Sequence, residues 1–549
     1  MTREEYADLL LPNVKHDYNY YEELYSERDL PEGAIVTRYA PSPTGFIHIG
    51  ALLTCFINSK MAKQSDGVFY LRIEDTDQKR KVDDGVNQMI DDLEKFNIKF
   101  DEGATKDGDK GNYGPYTQSE RKDIYWAYAK KLIIEDKAYP CFCSKEDEAK
   151  DREKQAAKKE RTGYYGYWAR CRKLSMEEVI EKVKAGEKYV IRLKSNGSFS
   201  RKFKFKDLIK GKSEMPENDQ DVPIIKSDGL PTYHFAHAVD DHLMHTTHVI
   251  RGEEWYSSIP LHTQLFTMLG FKVPKYAHIS PLMKDEDGKR RKISKRKDPE
   301  FAISFYHEKG IPNEAIMLYL ETVANSNFEM WLEQNKYQNV DDFKLEFSKM
   351  STGGTLFDYD KLINISKNYI SRLKASEVYD MALEYANTYD KELADLLVKY
   401  KDYSVEIFNI EREQKKPRKD IAYFSDVKNQ IWYMYDELFK PDNYEWQNVT
   451  DKKEQELILN TYLNEYYNVD DDKDTWFNKM KEMAEKLGYS GDMKAYKENP
   501  DDYKGSITDI SMVVRVALTT KSMTPDLYDI MRLLGTDRMK KRVDMALQK

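Results

Sequence analysis

The segment Pro41-Ser42-Pro43-Thr44-Gly45-Phe46-Ile47-His48-Ile49-Gly50 joins a short apolar run to a helix-like one. Small residues at Ser42, Thr44, Gly45 and Gly50 would let a flat or phosphate-bearing ligand approach the backbone. A helix beginning there would present unpaired N–H groups and the positive end of its dipole. His48 at that start would donate to a phosphate oxygen; the alternative is an ordinary strand-to-helix turn with a satisfied histidine. A second candidate is Lys289-Arg290-Arg291-Lys292-Ile293-Ser294-Lys295-Arg296-Lys297, seven basic residues in nine. Such a run is usually a solvated face. Paired with the first segment, it reads as a mobile basic loop closing over a triphosphate, supplying charge where it develops during attack on the α-phosphorus. Three of the four cysteines, Cys141, Cys143 and Cys171, cluster in sequence, which points to metal; Cys55 stands alone inside a predicted helix and reads as core.

The elements that must position these groups are legible as patterns. Ile35 to Ala40 reads as a strand, Gly50 to Gln64 as a helix with Leu52, Leu53, Phe56, Ile57 and Met61 on one face, and Val68 to Ile73 as a second strand. That is a βαβ unit, whose first loop faces a ligand. A second cluster predicts a helix over Tyr233 to Met244, a strand over His248 to Gly252, a helix from Trp255 to Gly270 and a strand around Tyr276 to Pro281. Between them lies an insertion carrying the cysteines and a charged helical stretch, Lys145 to Lys159. Arg201 to Lys206 alternates basic and aromatic residues, as an RNA-contacting edge or a half-exposed strand would. Beyond about Pro299 the chain reads as all-α, with an exposed loop at Lys415 to Lys419; residues 1 to 32 read as a polar, Tyr-rich appendage.

With 549 residues, 40% hydrophobic and 13% aromatic, the chain can bury several cores, which excludes a single small domain or a disordered chain. The formal charge of −9 excludes no RNA partner, since local patches bind phosphate. No run approaches 18 apolar residues, and the acidic start lacks a signal-peptide pattern, so a cytoplasmic protein with no membrane partner is expected.

His48-Ile49-Gly50 together with Lys292-Ile293-Ser294-Lys295-Arg296 resembles the paired signature of class I aminoacyl-tRNA synthetases. Arg38 to Gly45, Leu71-Arg72-Ile73-Glu74-Asp75-Thr76-Asp77, Asp228 to Tyr233 and Val249-Ile250-Arg251-Gly252-Glu253-Glu254-Trp255 narrow the resemblance to the glutamyl-tRNA synthetases. Weaker echoes of the bacterial form follow at Leu356 to Leu362 and Val514 to Thr519. The family usually has glycines after that last stretch, where this chain has Thr520-Lys521-Ser522-Met523-Thr524.

The resemblance implies a Rossmann-type α/β catalytic domain with an inserted acceptor-binding domain, then an all-α anticodon-binding region. The expected boundaries are 1–33 for an N-terminal extension and 34–112 for the first catalytic half. The insertion takes 113–226, the second catalytic half 227–285, the signature loop and stem-contact region 286–375, and the helical anticodon domain 376–549. The implied activity is tRNA-dependent activation of L-glutamate with ATP and Mg²⁺, then transfer to the 3′-terminal adenosine of tRNA(Glu), by a monomer. An enzyme that also charges tRNA(Gln) is the alternative. The resemblance assigns catalysis to His48, Lys292 and Lys295, and ATP to Pro41, Thr44, Gly45, Gly50 and Ser294 with those three. Glutamate falls to Arg38, Ser42, Glu74, Tyr233, His237, Arg251 and Trp255, because a guanidinium fork pairs with a carboxylate and Glu74 suits an ammonium. A strand-end salt bridge from Arg251 to Glu253 or Glu254 is the rival arrangement. Asp77 and Glu254 would meet the tRNA 3′ end or organise the pocket. Cys141, Cys143, Cys171 and Tyr167 would hold a structural Zn²⁺, though Tyr164 or Tyr165 could equally lie near it.

Overall fold

The computed structural model of the chain describes residues 1–43, 47–77, 84–293, 297–335 and 339–548. These divide into two compact units, one comprising residues 1–305 and 317–357, the other 306–316 and 358–549.

In the first unit the expected βαβ element is present. Strand Val36–Tyr39 pairs in parallel with Val68–Leu71 through the helix Ile49–Lys63, and a third parallel strand, Glu102–Thr105, follows. The second half supplies helix Tyr233–Leu243, then His248–Gly252 parallel to Lys275–Ile279. The helix expected from Trp255 starts late: Glu253–Ser258 is a 3₁₀ turn, and the α-helix runs Ile259–Leu269 with a proline in its first turn, where a missing N–H costs nothing. Asn58, wholly buried in the first helix, stitches the halves together. It accepts from the Thr37 hydroxyl and donates 3.1 Å to the Ile250 carbonyl, while the Thr247 N–H reaches the Val36 carbonyl at 3.0 Å.

The insertion is built on an antiparallel sheet of Ala138–Cys141, Val190–Leu193 and Pro223–Ile225. Its charged stretch is the helix Lys145–Ala157, started by a reciprocal Ser144–Asp147 cap. Lys202–Asp207 is a strand of a hairpin with Gly211–Pro216; its lysines face water while Phe203 and Phe205 pack toward Val249, Ile259 and Tyr276. The basic run differs from a mobile loop over its first part. Lys289–Lys292 is a strand antiparallel to Leu282–Glu286, and Arg291 is tied to Glu286 at 2.6 Å and to the buried Asp298 at 2.6 Å. A two-residue strand, Thr355–Leu356, joins the same sheet, so the chain past Pro299 is not purely helical.

Residues 1 to 32, expected as an appendage, are seated on this unit. Helices Arg3–Leu10 and Tyr18–Leu24 bury Tyr6, Leu10 and Tyr21. Arg28 forks onto Glu102 at 2.7 and 2.9 Å, Tyr25 donates to the Gly114 carbonyl at 2.7 Å, and Tyr189 donates to the Leu10 carbonyl at 2.8 Å.

The second unit is helical, packing faces such as Val378, Leu397, Phe408, Ile458, Val513 and Ile530 into one core. No helix among the described residues is long and apolar enough to cross a membrane. The helix Ile507–Thr519 ends on Thr520 in the left-handed region at φ +63°, with its N–H on the Val516 carbonyl at 2.7 Å. A β-branched residue is strained there, at the start of the stretch in which the resemblance leads to an expectation of glycines. Thr520→Gly should stabilise this unit by about 1 kcal/mol, read as a higher denaturant midpoint, the strain relieved exceeding the added entropy of glycine in the unfolded chain. An unchanged or lowered midpoint would show that the site carries no strain.

Candidate active site

Strands Val36–Tyr39 and His248–Gly252 run toward a cavity of about 360 Å³. This is the edge where α/β sheets take ligands. Six of the residues expected to hold glutamate line it: Arg38, Ser42, Glu74, Tyr233, Arg251 and Trp255. The two guanidiniums are held differently. Buried Arg38 donates through Nε to both Asp241 oxygens, at 3.2 and 3.3 Å. Buried Arg251 donates through Nε to His278 Nε2 and through Nη2 to His262 Nδ1, each at 3.1 Å. The rival salt bridge is not made: Glu253 pairs with Lys210 and Glu254 with Lys292, and among the described residues Arg251 has no carboxylate partner.

Glu74 follows the second strand. Its N–H reaches the Pro41 carbonyl at 3.0 Å and its carboxylate accepts from Arg72 Nη2 at 3.0 Å. Burial pushes its carboxyl above the ordinary value, against the pull of Arg72 and Arg38. The Tyr233 ring packs 4.2 Å from Trp255 and lies nearly parallel to His237 behind it. His237 therefore does not line the cavity. It is wholly buried, with Nε2 3.1 Å from the Tyr276 hydroxyl and Nδ1 2.8 Å from Asp241 but off the hydrogen-bonding direction. Burial lowers its pKa to about 3, so the ring is neutral.

His48 lines the same cavity with Gly50, Glu254 and Lys292. Its Nδ1 accepts from the N–H groups of Gly50 at 3.1 Å and Ala51 at 3.2 Å, so it caps the helix whose start was expected to offer those donors to phosphate. In the neutral ring the proton then sits on Nε2, the nitrogen able to donate to an anion. A Cβ at position 50 would stand 3.1 Å from His48 Cε1, which is why a glycine suits this cap. Lys292 Nζ pairs with Glu254 at 3.0 Å, both half-exposed. Pro41 contributes its carbonyl to Glu74 rather than a wall of the cavity, and Asp77 is exposed and outside the lining. Thr44, Gly45, Ser294 and Lys295 lie outside the described residues.

In the insertion, the sulfur atoms of Cys141, Cys143 and Cys171 lie within 4.8 Å of one another, with Cys143 and Cys171 at 3.6 Å. Thiolates on a tetrahedral zinc at about 2.3 Å would stand about 3.8 Å apart, so the donor set fits and could bind zinc. The fourth corner differs from expectation. Tyr167 is 78% exposed, whereas the Tyr164 hydroxyl lies 3.3 Å from Cys141 and 3.4 Å from Cys143. The short 3₁₀ segments Gly166–Trp168 and Arg170–Lys173 replace the α-turn that would have carried Tyr167 over Cys171. Hydrogen bonds from Cys143 and Cys171 hold the Cys141 thiol well below its ordinary value, with Arg192 adding its charge. Cys55 is buried core.

A family model described as tRNA synthetases class I (E and Q), catalytic domain, matches residues 34–353, and one for an anticodon binding domain matches 378–547. The chain is 48% identical over 547 residues to a glutamate–tRNA ligase of Clostridium perfringens (strain 13 / Type A), covering 99% of this chain and 100% of that one. The chain belongs to the class I glutamate–tRNA ligases. A ligase of the same name from Clostridium beijerinckii is 47% identical over 552 residues, with both chains covered completely. The solved glutamate–tRNA synthetase of Elizabethkingia anophelis superposes with a TM-score of 0.75 at 25% identity, over 94% of this chain and 100% of that one.

Sequence reading of this ligase missed the groups behind the cavity. Asp240 and Asp241, adjacent on a helix with Phe235, Ala236, Ala238 and Val239 buried around them, were the available signal, since charges amid an apolar helix need partners. Asp241 takes Arg72 Nη1 at 2.6 Å as well as Arg38; Asp240 takes Arg121 Nε at 2.7 Å. Burial alone would raise the Asp241 pKa, but Arg38 and Arg72 override it and hold the carboxyl well below 3.8. A depressed folded pKa gives stability that is present above the unfolded value and lost as pH falls toward the folded one. Asp241→Asn should therefore cost about 3–5 kcal/mol at pH 7 by stranding buried Arg38 and taking one of the carboxylates of buried Arg72. The gap to wild type should narrow below about pH 4, where the unfolded carboxyl takes up its proton. Denaturant midpoints at pH 7 and pH 3.5 check both signs; a pH-independent gap would sink the assignment.

Proposed function

We propose that this chain activates L-glutamate with ATP and Mg²⁺ to glutamyl-adenylate in the presence of tRNA, then transfers glutamate to the 3′-terminal adenosine of tRNA(Glu). The observation that carries the reading is the set of groups lining one cavity. It holds two buried guanidiniums and a carboxylate (Arg38, Arg251, Glu74), suited to an amino acid with a second acid group, together with His48 at a helix start and Lys292 on a hairpin, suited to a polyphosphate. Arg251 pairs with the glutamate side chain, Arg38 stands beside it, and Glu74 takes the ammonium, with Ser42, Tyr233 and Trp255 shaping the pocket and His237 supporting Tyr233 from behind.

Adenylation needs no protein nucleophile: the substrate α-carboxylate attacks the α-phosphorus and pyrophosphate leaves. The side chains position the reactants and offset the developing charge, His48 through its Nε2 proton and Lys292 through its ammonium. Lys292 would leave Glu254 to do so. Thr44, Gly45, Gly50, Ser294 and Lys295 complete the ATP site. The insertion, 113–226, takes the acceptor stem, and residues 376–549 read the anticodon. Cys141, Cys143, Cys171 and Tyr164 hold a zinc that braces the insertion.

Charging of labelled glutamate onto transcripts of tRNA(Glu) and tRNA(Gln) tests the reading. Charging of the first alone marks a discriminating ligase, charging of both a relaxed one, and charging of neither overturns the proposal. Arg251→Ala should raise the KM for glutamate at least about 100-fold, as loss of a desolvated carboxylate partner implies; near-normal kinetics would remove Arg251 from the pocket. Metal analysis of protein prepared without chelator should find about one zinc per chain, and less than about a tenth would dismiss the site.

A further inference from the structure

We propose that His262 and His278 are positioning residues that hold Arg251 without a carboxylate in direct contact, so that the side-chain carboxylate of glutamate, and not the carboxamide of glutamine, completes its coordination. The inference rests on the reading of glutamate as substrate and adds the physical origin of its selectivity.

Arginine has only donors, so the ring nitrogens facing Arg251 must both be bare lone pairs: Nε2 of His278 and Nδ1 of His262. A proton on either would set N–H against N–H. Each opposite nitrogen therefore carries the proton, and each finds an acceptor. His278 Nδ1 donates to Asp207 at 2.6 Å, and His262 Nε2 donates to His234 Nδ1 at 2.8 Å. Asp207 is itself fixed by the N–H groups of Ile209 at 2.9 Å and Lys210 at 2.8 Å. Burial lowers the pKa of His262, His278 and His234 alike, which agrees with neutral rings.

The other contacts of Arg251 are neutral too. The Tyr276 face lies 5.0 Å from its guanidinium carbon, the Trp255 carbonyl 3.4 Å and the Tyr233 hydroxyl 3.5 Å from its nitrogens. Arg38, Arg72 and Arg121, by contrast, each sit on an aspartate. A buried guanidinium held only by neutral acceptors retains the field that tells a carboxylate from an amide, because a charge-assisted pair is about twice as strong as a neutral one. A carboxylate in place of either imidazole would hold the arginine just as firmly and spend that field.

The test is an amide–acid pair at one position. In His262→Asn and His262→Asp a side-chain oxygen stands near the place of Nδ1, and the two differ only in charge. Aminoacylation kinetics should give a KM for glutamate at least about tenfold higher in H262D than in H262N, the scale of one charge-assisted contact. Their kcat values should differ less than about threefold, and glutamine should compete relatively better against H262D. Equal KM values in the two variants, with wild type charging glutamate normally, would overturn the inference alone. No glutamate charging by wild type would overturn the substrate reading and this inference with it. Should H262D fail to fold, the same comparison between His278→Gln and His278→Glu decides.

Discussion

Three guanidiniums and three carboxylates with almost no access to water tie the catalytic unit together: Arg38, Arg72 and Arg121 against Glu74, Asp240 and Asp241. Their chain positions matter as much as their charges. Arg38, Arg72 and Glu74 come from the first half of the catalytic fold, Arg121 from the edge of the insertion, and the two aspartates from a helix more than a hundred residues later. Such a cluster contributes little net stability relative to apolar packing, since desolvation consumes most of the Coulomb gain. It makes every other arrangement costly, because a slip of the helix Tyr233–Leu243 leaves bare charges inside the protein. The cavity walls inherit their precision from it: Asp241 aims Arg38, and Arg72 aims Glu74.

What sequence makes legible here is what short-range periodicity and local motif encode. The strands at Val36–Tyr39, Val68–Leu71 and His248–Gly252 and the helices between them follow from apolar patterning, and the cavity lies where a βαβ unit places it. The walls from Arg38 to Trp255 were reachable through motif resemblance. The second layer was not, because Asp207, Asp241, His262 and His278 take their meaning from partners 11 to 203 residues away. Spacing misleads where a conformation breaks its period. Tyr167 lies four residues before Cys171, one turn of an α-helix, yet the backbone turns through Gly166 at φ +51° and Tyr164 points inward instead. The basic run is half ladder: Arg291 is spent on Asp298 within the hairpin.

Histidine serves two opposite purposes around this one cavity. His48 takes two backbone N–H groups into a lone pair, and so converts a helix start into a single imidazole donor. His262 and His278 offer lone pairs to a cation. In each case the tautomer is set by N–H donors that meet one ring nitrogen and leave the proton on the other.

The seating of the first thirty residues bears on how the molecule comes to be folded. Leu10 waits for Tyr189, Glu22 for Tyr128 and His242, Tyr25 for Gly114, and Arg28 for Glu102 and the Met244 carbonyl. Every one of these partners lies later in the chain, some by about two hundred residues. A segment made before all of these partners can dock only once they are in place. Contacts of such long separation slow the closing step of folding. Until that step Tyr6, Leu10 and Tyr21 lack the core that buries them in the folded protein.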